Sequence, residues 1–333
     1  MSLYKYTAGM IALLFVMVQA GSAQEKLAQT GFEFLKVGAD ARASAMGEAF
    51  TTMEGGASSL FYNPAGMARM EERLNLAFSY NTWIADINHS AVSLCYNPKR
   101  GAYGVFGLSA MWVDYGEFLG TMVWRNSGEY VDTGTFSPNA LAFGVGYAKA
   151  LTDRFSVGGQ VRLAAQSLGH SVVAVPAAAS GFASKRNTLS AWTVDFGTIF
   201  QTGVKSLAFG MSVRNFSQEI EYEMESFQLP LIFKMGISMN LFDLIPSIPA
   251  EEHAFKVALD AVHPRSYPEY ISLGGEYAFK NMFMLRTGYA SNQSEHGLSF
   301  GFGITRFGLA IDYAYTPFGV FDNVQRFTAR FTY

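Results

Sequence analysis

Residues 229–241 carry an apolar side chain at every second position over thirteen consecutive residues, and this pattern restricts what the segment can form. An amphipathic helix repeats its apolar positions every three or four residues, whereas a strand alternates its side chains between two faces. The segment is therefore predicted to be a strand with one apolar face. That face carries Leu229, Leu231, Phe233, Met235, Ile237, Met239 and Leu241, opposite Lys234, Gly236, Ser238 and Asn240.

The same alternation recurs in segments of about ten residues, which is the pattern of transmembrane β-strands. In the last segment Phe327, Ala329, Phe331 and Tyr333 share one face. Fourteen strands are predicted, an even number, as bacterial outer-membrane barrels require. Their ranges are 74–82, 88–96, 102–113, 139–149, 154–167, 188–201, 206–216, 229–241, 253–262, 269–279, 282–291, 297–305, 308–316 and 324–333.

The connections between these strands alternate between short and long. Outer-membrane barrels have short periplasmic turns and long external loops, so both chain termini are predicted to face the periplasm. The long connections predicted to be external loops are 114–138, 168–187, 217–228 and 317–323. Residues 242–252 form one long turn on the periplasmic side.

Composition narrows the class of protein further. Half of the 333 residues are hydrophobic, only 15% are charged, and 33 are glycine. No stretch of 18 apolar residues follows residue 23, so a membrane-spanning chain of this sequence must be a closed barrel. The net charge of −3 provides no general attraction to nucleic acid. A secreted soluble β-protein is the alternative class.

The first 72 residues do not alternate and are predicted to form two separate segments. Residues 1–23 are a cleaved signal peptide, with Lys5 before a short apolar core and small residues at the cleavage site. Residues 24–72 form a hatch inside the barrel of residues 73–333, with a periplasmic tail as the alternative. In the hatch, Asn63 and Pro64 mark a helix start as N-cap and first helical residue.

The polar faces of the strands carry charges of both signs, which are predicted to point into the lumen because a charge facing lipid is costly. These residues are Arg162, Asp195, Arg214, Lys234, Lys256, Asp260, Glu276, Arg286, Asp312, Arg326 and Arg330.

Two N-terminal stretches resemble the opening of a known family. They are Gly38-Ala39-Asp40-Ala41-Arg42-Ala43-Ser44-Ala45-Met46-Gly47-Glu48-Ala49-Phe50 and Ala57-Ser58-Ser59-Leu60-Phe61-Tyr62-Asn63-Pro64-Ala65-Gly66-Met67. They resemble the PorV/PorQ family, part of the wider FadL-like outer-membrane barrels. The hatch motif consists of Arg42, Met46, Gly47, Asn63, Pro64, Ala65 and Gly66, and Ala45 stands where the family commonly has Gly. Phe331 and Tyr333 resemble the C-terminal signal that the barrel assembly machinery reads.

The resemblance implies an all-β fold: a 14-stranded, FadL-like antiparallel barrel with an N-terminal hatch containing short helices. It implies the outer membrane of a Gram-negative, Bacteroidetes-type bacterium. PorV-like members act in type IX secretion, with secretion components and their cargo proteins as partners. FadL-like members instead carry hydrophobic small molecules across the outer membrane, and this channel function is the alternative.

No catalytic constellation is found in the sequence, and no enzyme activity, cofactor or metal is predicted. The histidines lack the spacing of metal ligands and are expected at the surface; they are His89, His170, His253, His263 and His296. Gly-x-Gly steps such as Gly301-Phe302-Gly303 lie inside predicted strands. They are expected to allow close approach by the hatch rather than to bind phosphate.

Overall fold

The computed structural model describes residues 30–124, 129–174, 182–222, 225–249, 251–292, 297–320 and 323–333. The predicted signal peptide, residues 1–23, and the first six residues of the predicted hatch lie outside these ranges. Among the described residues, no helix has both the length and the apolar character needed to cross a membrane.

The described residues form eighteen strands, numbered in chain order. They are β1 Leu74–Thr82, β2 Asn88–Tyr96, β3 Val105–Asp114, β4 Phe118–Trp124, β5 Glu129–Phe136, β6 Asn139–Ala150, β7 Phe155–Ala174, β8 Phe182–Gln201, β9 Ala208–Phe216, β10 Ile220–Tyr222, β11 Glu225–Phe227, β12 Ile232–Asn240, β13 His253–Pro264, β14 Tyr270–Phe279, β15 Phe283–Ala290, β16 Leu298–Arg306, β17 Leu309–Thr316 and β18 Val324–Thr332.

Fourteen of these strands close into one antiparallel barrel. Each pairs with its neighbours along the chain, and β1 pairs with β18 from Asn75↔Thr332 to Thr82↔Gln325. The remaining four strands form two separate hairpins, β4–β5 and β10–β11. The predicted fold class is therefore confirmed.

Side chains of the barrel strands alternate between an inward and an outward face. In β18, Phe327 and Phe331 are 50% and 44% exposed, while Arg326 and Thr328 on either side of Phe327 are buried. The exposed apolar side chains form the face that meets lipid. Charged side chains are kept on the inner face because a charge at the middle of the bilayer costs about 2–4 kcal/mol.

Three predicted loops contain more strand than the alternation pattern indicated. Residues 114–138 include hairpin β4–β5, residues 217–228 include β10–β11, and β7 and β8 continue to Ala174 and from Phe182. These strand segments extend beyond the part of the barrel that contacts lipid. Neither of their faces has to be apolar, so they need not show the alternation of a transmembrane strand. They are held by backbone pairing across each hairpin.

Two predicted strand starts were also wrong. β3 begins at Val105 rather than residue 102, because the preceding turn has left-handed backbone at Gly101 and Gly104 (φ +84° and +79°). β12 begins at Ile232 rather than residue 229. Leu229, predicted on the outward face, is fully buried in the core with hatch residues.

Residues 30–70 are mostly buried, contact the inner faces of the barrel strands and form the hatch. Thr30 pairs with Gln228 and contacts Ser266, near the long hairpins; we call this the loop end. Arg69 donates to the Thr152 carbonyl in the short β6–β7 connection, at the opposite turn end. The helices are short: Glu33–Lys36, Ala41–Ala45, Gly56–Phe61 and Pro64–Met67 in the hatch, then Ile84–Asp86, Pro98–Gly101 and Leu241–Leu244 between strands.

Candidate functional site

Asp40 caps helix Ala41–Ala45 of the hatch and also connects two parts of the hatch. Its Oδ1 accepts from the Ala43 backbone N–H at 3.1 Å, and its Oδ2 accepts from Ser58 Oγ at 2.5 Å. The Asp40 backbone N–H donates to the Tyr62 hydroxyl at 3.0 Å. Burial, and then the negative charge of Glu48, raise the pKa of Tyr62 well above its usual value, which keeps the phenol neutral.

Asn63 has two roles in the hatch. As the predicted N-cap, its Oδ1 accepts from the Ala65 backbone N–H at 3.1 Å. Its Nδ2 donates to the Thr51 carbonyl at 2.7 Å and to the Thr198 and Met211 carbonyls at 3.2 and 3.4 Å. Thr198 lies in β8 and Met211 in β9, so these two contacts attach the hatch to the barrel wall.

Glycines of the wall leave room for the hatch backbone. A Cβ built on Gly288 would lie 2.0 Å from the backbone nitrogen of Gly47, which itself has left-handed backbone (φ +62°). A Cβ on Gly301 would lie 2.5 Å from the Cβ of Ala45. Both distances are shorter than real contacts, so the hatch can lie this close only where the wall lacks side chains. Gly301 therefore allows the close approach by the hatch that was expected for the Gly-x-Gly steps.

Five charged side chains form a buried network between the hatch and the wall. Arg42 Nε and Nη2 donate to Glu276 Oε2 and Oε1, both at 2.7 Å. Arg286 donates to Glu276 Oε2 and to Asp312 Oδ1, both at 2.6 Å, and Arg330 donates to Asp312 Oδ2 at 2.5 Å. The bidentate pair fixes the geometry as well as the charge. The network joins hatch helix Ala41–Ala45 to β14, β15, β17 and β18.

The charge of Arg42 is maintained by its partner. Burial disfavours the guanidinium charge, but the Glu276 carboxylate outweighs this effect and raises the pKa of Arg42 above its usual value. The contact therefore persists wherever the Glu276 carboxylate is ionised.

A second cluster holds the other side of the hatch. Asp195 Oδ1 accepts from Arg162 Nη2 at 2.8 Å and from the Asn215 backbone N–H at 2.7 Å. Asn215 lies at a bulge in the β8–β9 pairing and has left-handed backbone (φ +61°). Arg214 donates to the carbonyl of hatch residue Leu35 at 3.1 Å.

Between the two clusters, the wall binds the backbone of the hatch directly. Asp260 Oδ2 accepts from the Phe50 and Thr51 backbone N–H groups at 3.0 and 3.1 Å and from Thr51 Oγ1 at 2.6 Å. Lys234 Nζ donates to the Glu48 carbonyl at 3.0 Å. These contacts satisfy backbone groups that would otherwise be buried without partners.

The structure brings most of the sequence-predicted residues together at this interface. All eleven predicted lumen charges lie on the inner face. Lys256 pairs in register with Glu276, and Met46 packs against the wall at Gly274. Pro64, Ala65 and Gly66 are buried in the hatch, whereas Phe331 and Tyr333 point outward at the turn end. Among the described residues, no group of three His, Cys, Asp or Glu side chains is placed to hold a metal ion.

A cavity of about 330 Å³ lies between the hatch and the wall at the loop end. Trp83, Tyr267, Tyr270 and Phe318 give it an aromatic lining, and its polar lining includes Lys36, Ser44, Glu48 and Arg326. The sequence did not predict this cavity. Its lining comes from the hatch, from several strands and from four connections, which are far apart in the chain. His89, expected at the surface, is 4% exposed because its ring packs near Trp83, with ring centroids 6.3 Å apart.

Solved structures with the same fold are hydrocarbon transporters and channels. The toluene transporter TbuX of Ralstonia pickettii is 13% identical, with a TM-score of 0.59 over 89% of this chain and 98% of that chain. The toluene transporter TodX of Pseudomonas putida is 14% identical, with a TM-score of 0.58 over 88% and 96%. The monoaromatic hydrocarbon channel CymD is 14% identical, with a TM-score of 0.58 over 89% and 98%. At these identities the likeness shows the fold alone.

No curated protein matches the chain. A family described as "Type IX secretion system protein PorV" matches residues 20–201, which is more than half of the sequence. This range contains the hatch and the first six strands of the barrel. The closed 14-stranded barrel places the protein in the outer membrane of a Gram-negative bacterium, and the chain belongs to the PorV family of type IX secretion system proteins.

Proposed function

We propose that this protein handles exported proteins at the cell surface as a component of type IX secretion, and that it is not an enzyme. Membership of the PorV family supports the secretion context. The observation that carries the proposal is the anchoring of the hatch. Ion pairs and backbone hydrogen bonds hold it to opposite sides of the barrel, so the lumen is not a passage for a polypeptide. Exported proteins are then handled on an outer surface.

The long hairpins at the loop end provide such a surface. Hairpin β4–β5 presents apolar side chains to solvent, with Leu119 73% and Tyr130 74% exposed. It packs on β7, where a Cβ on Gly169 would lie 2.7 Å from the Phe136 ring. Exposed apolar residues held on a supported hairpin are typical of protein contact surfaces.

The test is a paired substitution on this hairpin in a strain that depends on the protein for secretion. We expect Leu119→Asp together with Tyr130→Asp to reduce surface-attached cargo, measured by protease shaving, and to reduce crosslinking of cargo to the barrel. Phe307→Asp is the control, because Phe307 is 89% exposed but lies in a short connection at the turn end. Heat-modifiable migration on a gel verifies that each variant is folded. Normal cargo attachment with the folded double variant would contradict the proposal.

A channel for hydrophobic small molecules is the second candidate function, and the aromatic cavity is the observation that favours it. The transporters and channels with the same fold carry toluene or monoaromatic hydrocarbons according to their descriptions. Saturable uptake of labelled toluene that is lost on deletion of the gene, with cargo attachment unchanged, would support this second function over the first.

A further inference from the structure

Three polar side chains form a row across neighbouring strands beside the cavity. Asn81 of β1 pairs in register with His89 of β2 on one side and with Arg326 of β18 on the other. Their exposed fractions are only 1%, 4% and 5%. Directly opposed residues have Cβ atoms about 4.5–5.5 Å apart, so the three side chains are adjacent.

Each member of the row has buried polar atoms without a hydrogen-bond partner among the described residues. These atoms are Asn81 Nδ2 and Oδ1, His89 Nδ1 and Arg326 Nε. A buried polar group without a partner is costly, and such groups are few in folded proteins. Three of them side by side indicate that the row binds something besides the protein.

Arg326 differs from the other buried arginines of the wall. Arg162, Arg286 and Arg330 each form an ion pair with a carboxylate, and Arg214 donates to the backbone carbonyl of Leu35. Across the described ranges Arg326 has no such partner, and its guanidinium instead lies 5.2 Å from the Trp83 ring centroid. The carboxylate of Glu48 acts on this charge from across the cavity but forms no ion pair with it. Removing a guanidinium from water without a counter-charge in contact is strongly unfavourable, so Arg326 favours an anion beside it.

The rest of the cavity is suited to an apolar group. The Trp83 and Phe318 rings meet edge to face with centroids 5.1 Å apart, and Ile232 and Tyr270 extend the lining. The carboxylate of Glu48 also lines the cavity, where it accepts from Ser44 Oγ at 2.6 Å. Because Glu48 belongs to the hatch and Arg326 to the wall, the negative end of a ligand is favoured at the wall.

We infer that the cavity binds a small amphipathic carboxylate. Its carboxylate pairs with Arg326, and its apolar body lies against Trp83 and Phe318. A neutral hydrocarbon would fill the apolar part but leave the charge of Arg326 without a partner. The inference concerns the ligand of the cavity and does not depend on how exported proteins are handled at the hairpins.

The test compares two probes of the same shape, 3-phenylpropionate and its neutral amide 3-phenylpropanamide. Binding to the full chain in phosphatidylcholine nanodiscs is measured by calorimetry. We expect the carboxylate to bind at least about tenfold more tightly, since one charge-assisted hydrogen-bonded contact corresponds to a factor of this order. Equal binding of the two probes, or no saturable binding of the carboxylate, would overturn the inference.

Variants of Arg326 give a second readout. Arg326→Gln is expected to remove the preference for the carboxylate and also to raise the unfolding temperature of the empty protein, because an unpaired buried charge is removed. Arg326→Lys keeps the charge and is expected to retain the preference. The matched control is Arg306→Gln, at the turn end and exposed, which should bind both probes as the wild type does. A folded Arg326→Gln variant that keeps the preference would refute the site.

Discussion

Arg42 of the hatch and Glu276 of β14 are joined by two hydrogen bonds of 2.7 Å, although 234 positions separate them in the chain. Glu276 in turn binds Arg286, so the hatch helix is connected to a charge network that runs along the wall. The hatch is therefore a fixed part of the barrel core, and the strength of this connection can be measured.

Removing Glu276 should destabilise the protein by about 3–5 kcal/mol, because Arg42 is left buried without its carboxylate partner. Removing Arg42 leaves Glu276 paired with Arg286 alone, so a smaller loss is expected. We expect Glu276→Gln to cost more than Arg42→Gln, since it also deprives Arg286 of a partner. The double variant should lose less stability than the sum of the two single variants, which is the behaviour of residues in direct contact. The measurement is unfolding by urea in lipid vesicles. Additive losses would show that the pair does not hold the hatch.

Gly288→Ala should push the hatch away from the wall, because the new Cβ would lie 2.0 Å from the Gly47 backbone nitrogen. Overpacking of this kind costs about 1–3 kcal/mol. Gly275→Ala is a matched control on the adjacent strand, where the nearest atom, in the Phe255 ring, is 3.5 Å away. We expect faster hydrogen exchange at residues 45–48 in the first variant and none of this effect in the second. Unchanged exchange in Gly288→Ala would argue against a tightly seated hatch.

Two substitutions at Asn63 separate its two roles. Asn63→Ala removes both the helix cap, worth about 0.5–2 kcal/mol, and the donor to the Thr51 carbonyl. Asn63→Asp retains an acceptor for the cap but places a carboxyl group against the Thr51 and Thr198 carbonyls. We expect the Asp variant to be at least as unstable as the Ala variant in thermal unfolding. Wild-type stability of Asn63→Asp would mean that only the cap matters.

Cys95 should report displacement of the hatch. It is the only cysteine of the chain, it is fully buried, and its Sγ lies 3.0 Å from Sδ of hatch residue Met67. A maleimide reagent should therefore not label the native protein, but should label Asn63→Asp under the same conditions. Gly275→Ala serves as a control that is expected to stay unlabelled. Rapid labelling of the wild type would contradict the packing of the hatch against β2.

Much of the barrel was predictable because the membrane imposes a local pattern on each strand. Lipid outside and a packed interior inside require side chains to alternate, and the alternation is visible within about ten residues. The strand predicted at 324–333 is Val324–Thr332 in the structure, and the strand predicted at 308–316 is Leu309–Thr316. Hairpin β4–β5 was not predicted, because outside the membrane no such environment exists to leave a pattern.

Arg326 and Arg330 mark the limit of what the sequence shows. They are the same residue type, four positions apart, on the same face of one strand, and both were predicted to point inward, as they do. The alternation of side chains within β18 is sufficient to predict that both arginines point inward. Arg330 meets Asp312, whereas Arg326 faces a cavity bounded by Trp83 and the hatch. Which charge finds a partner depends on the register of neighbouring strands and on the path of the hatch, so only the tertiary structure determines it.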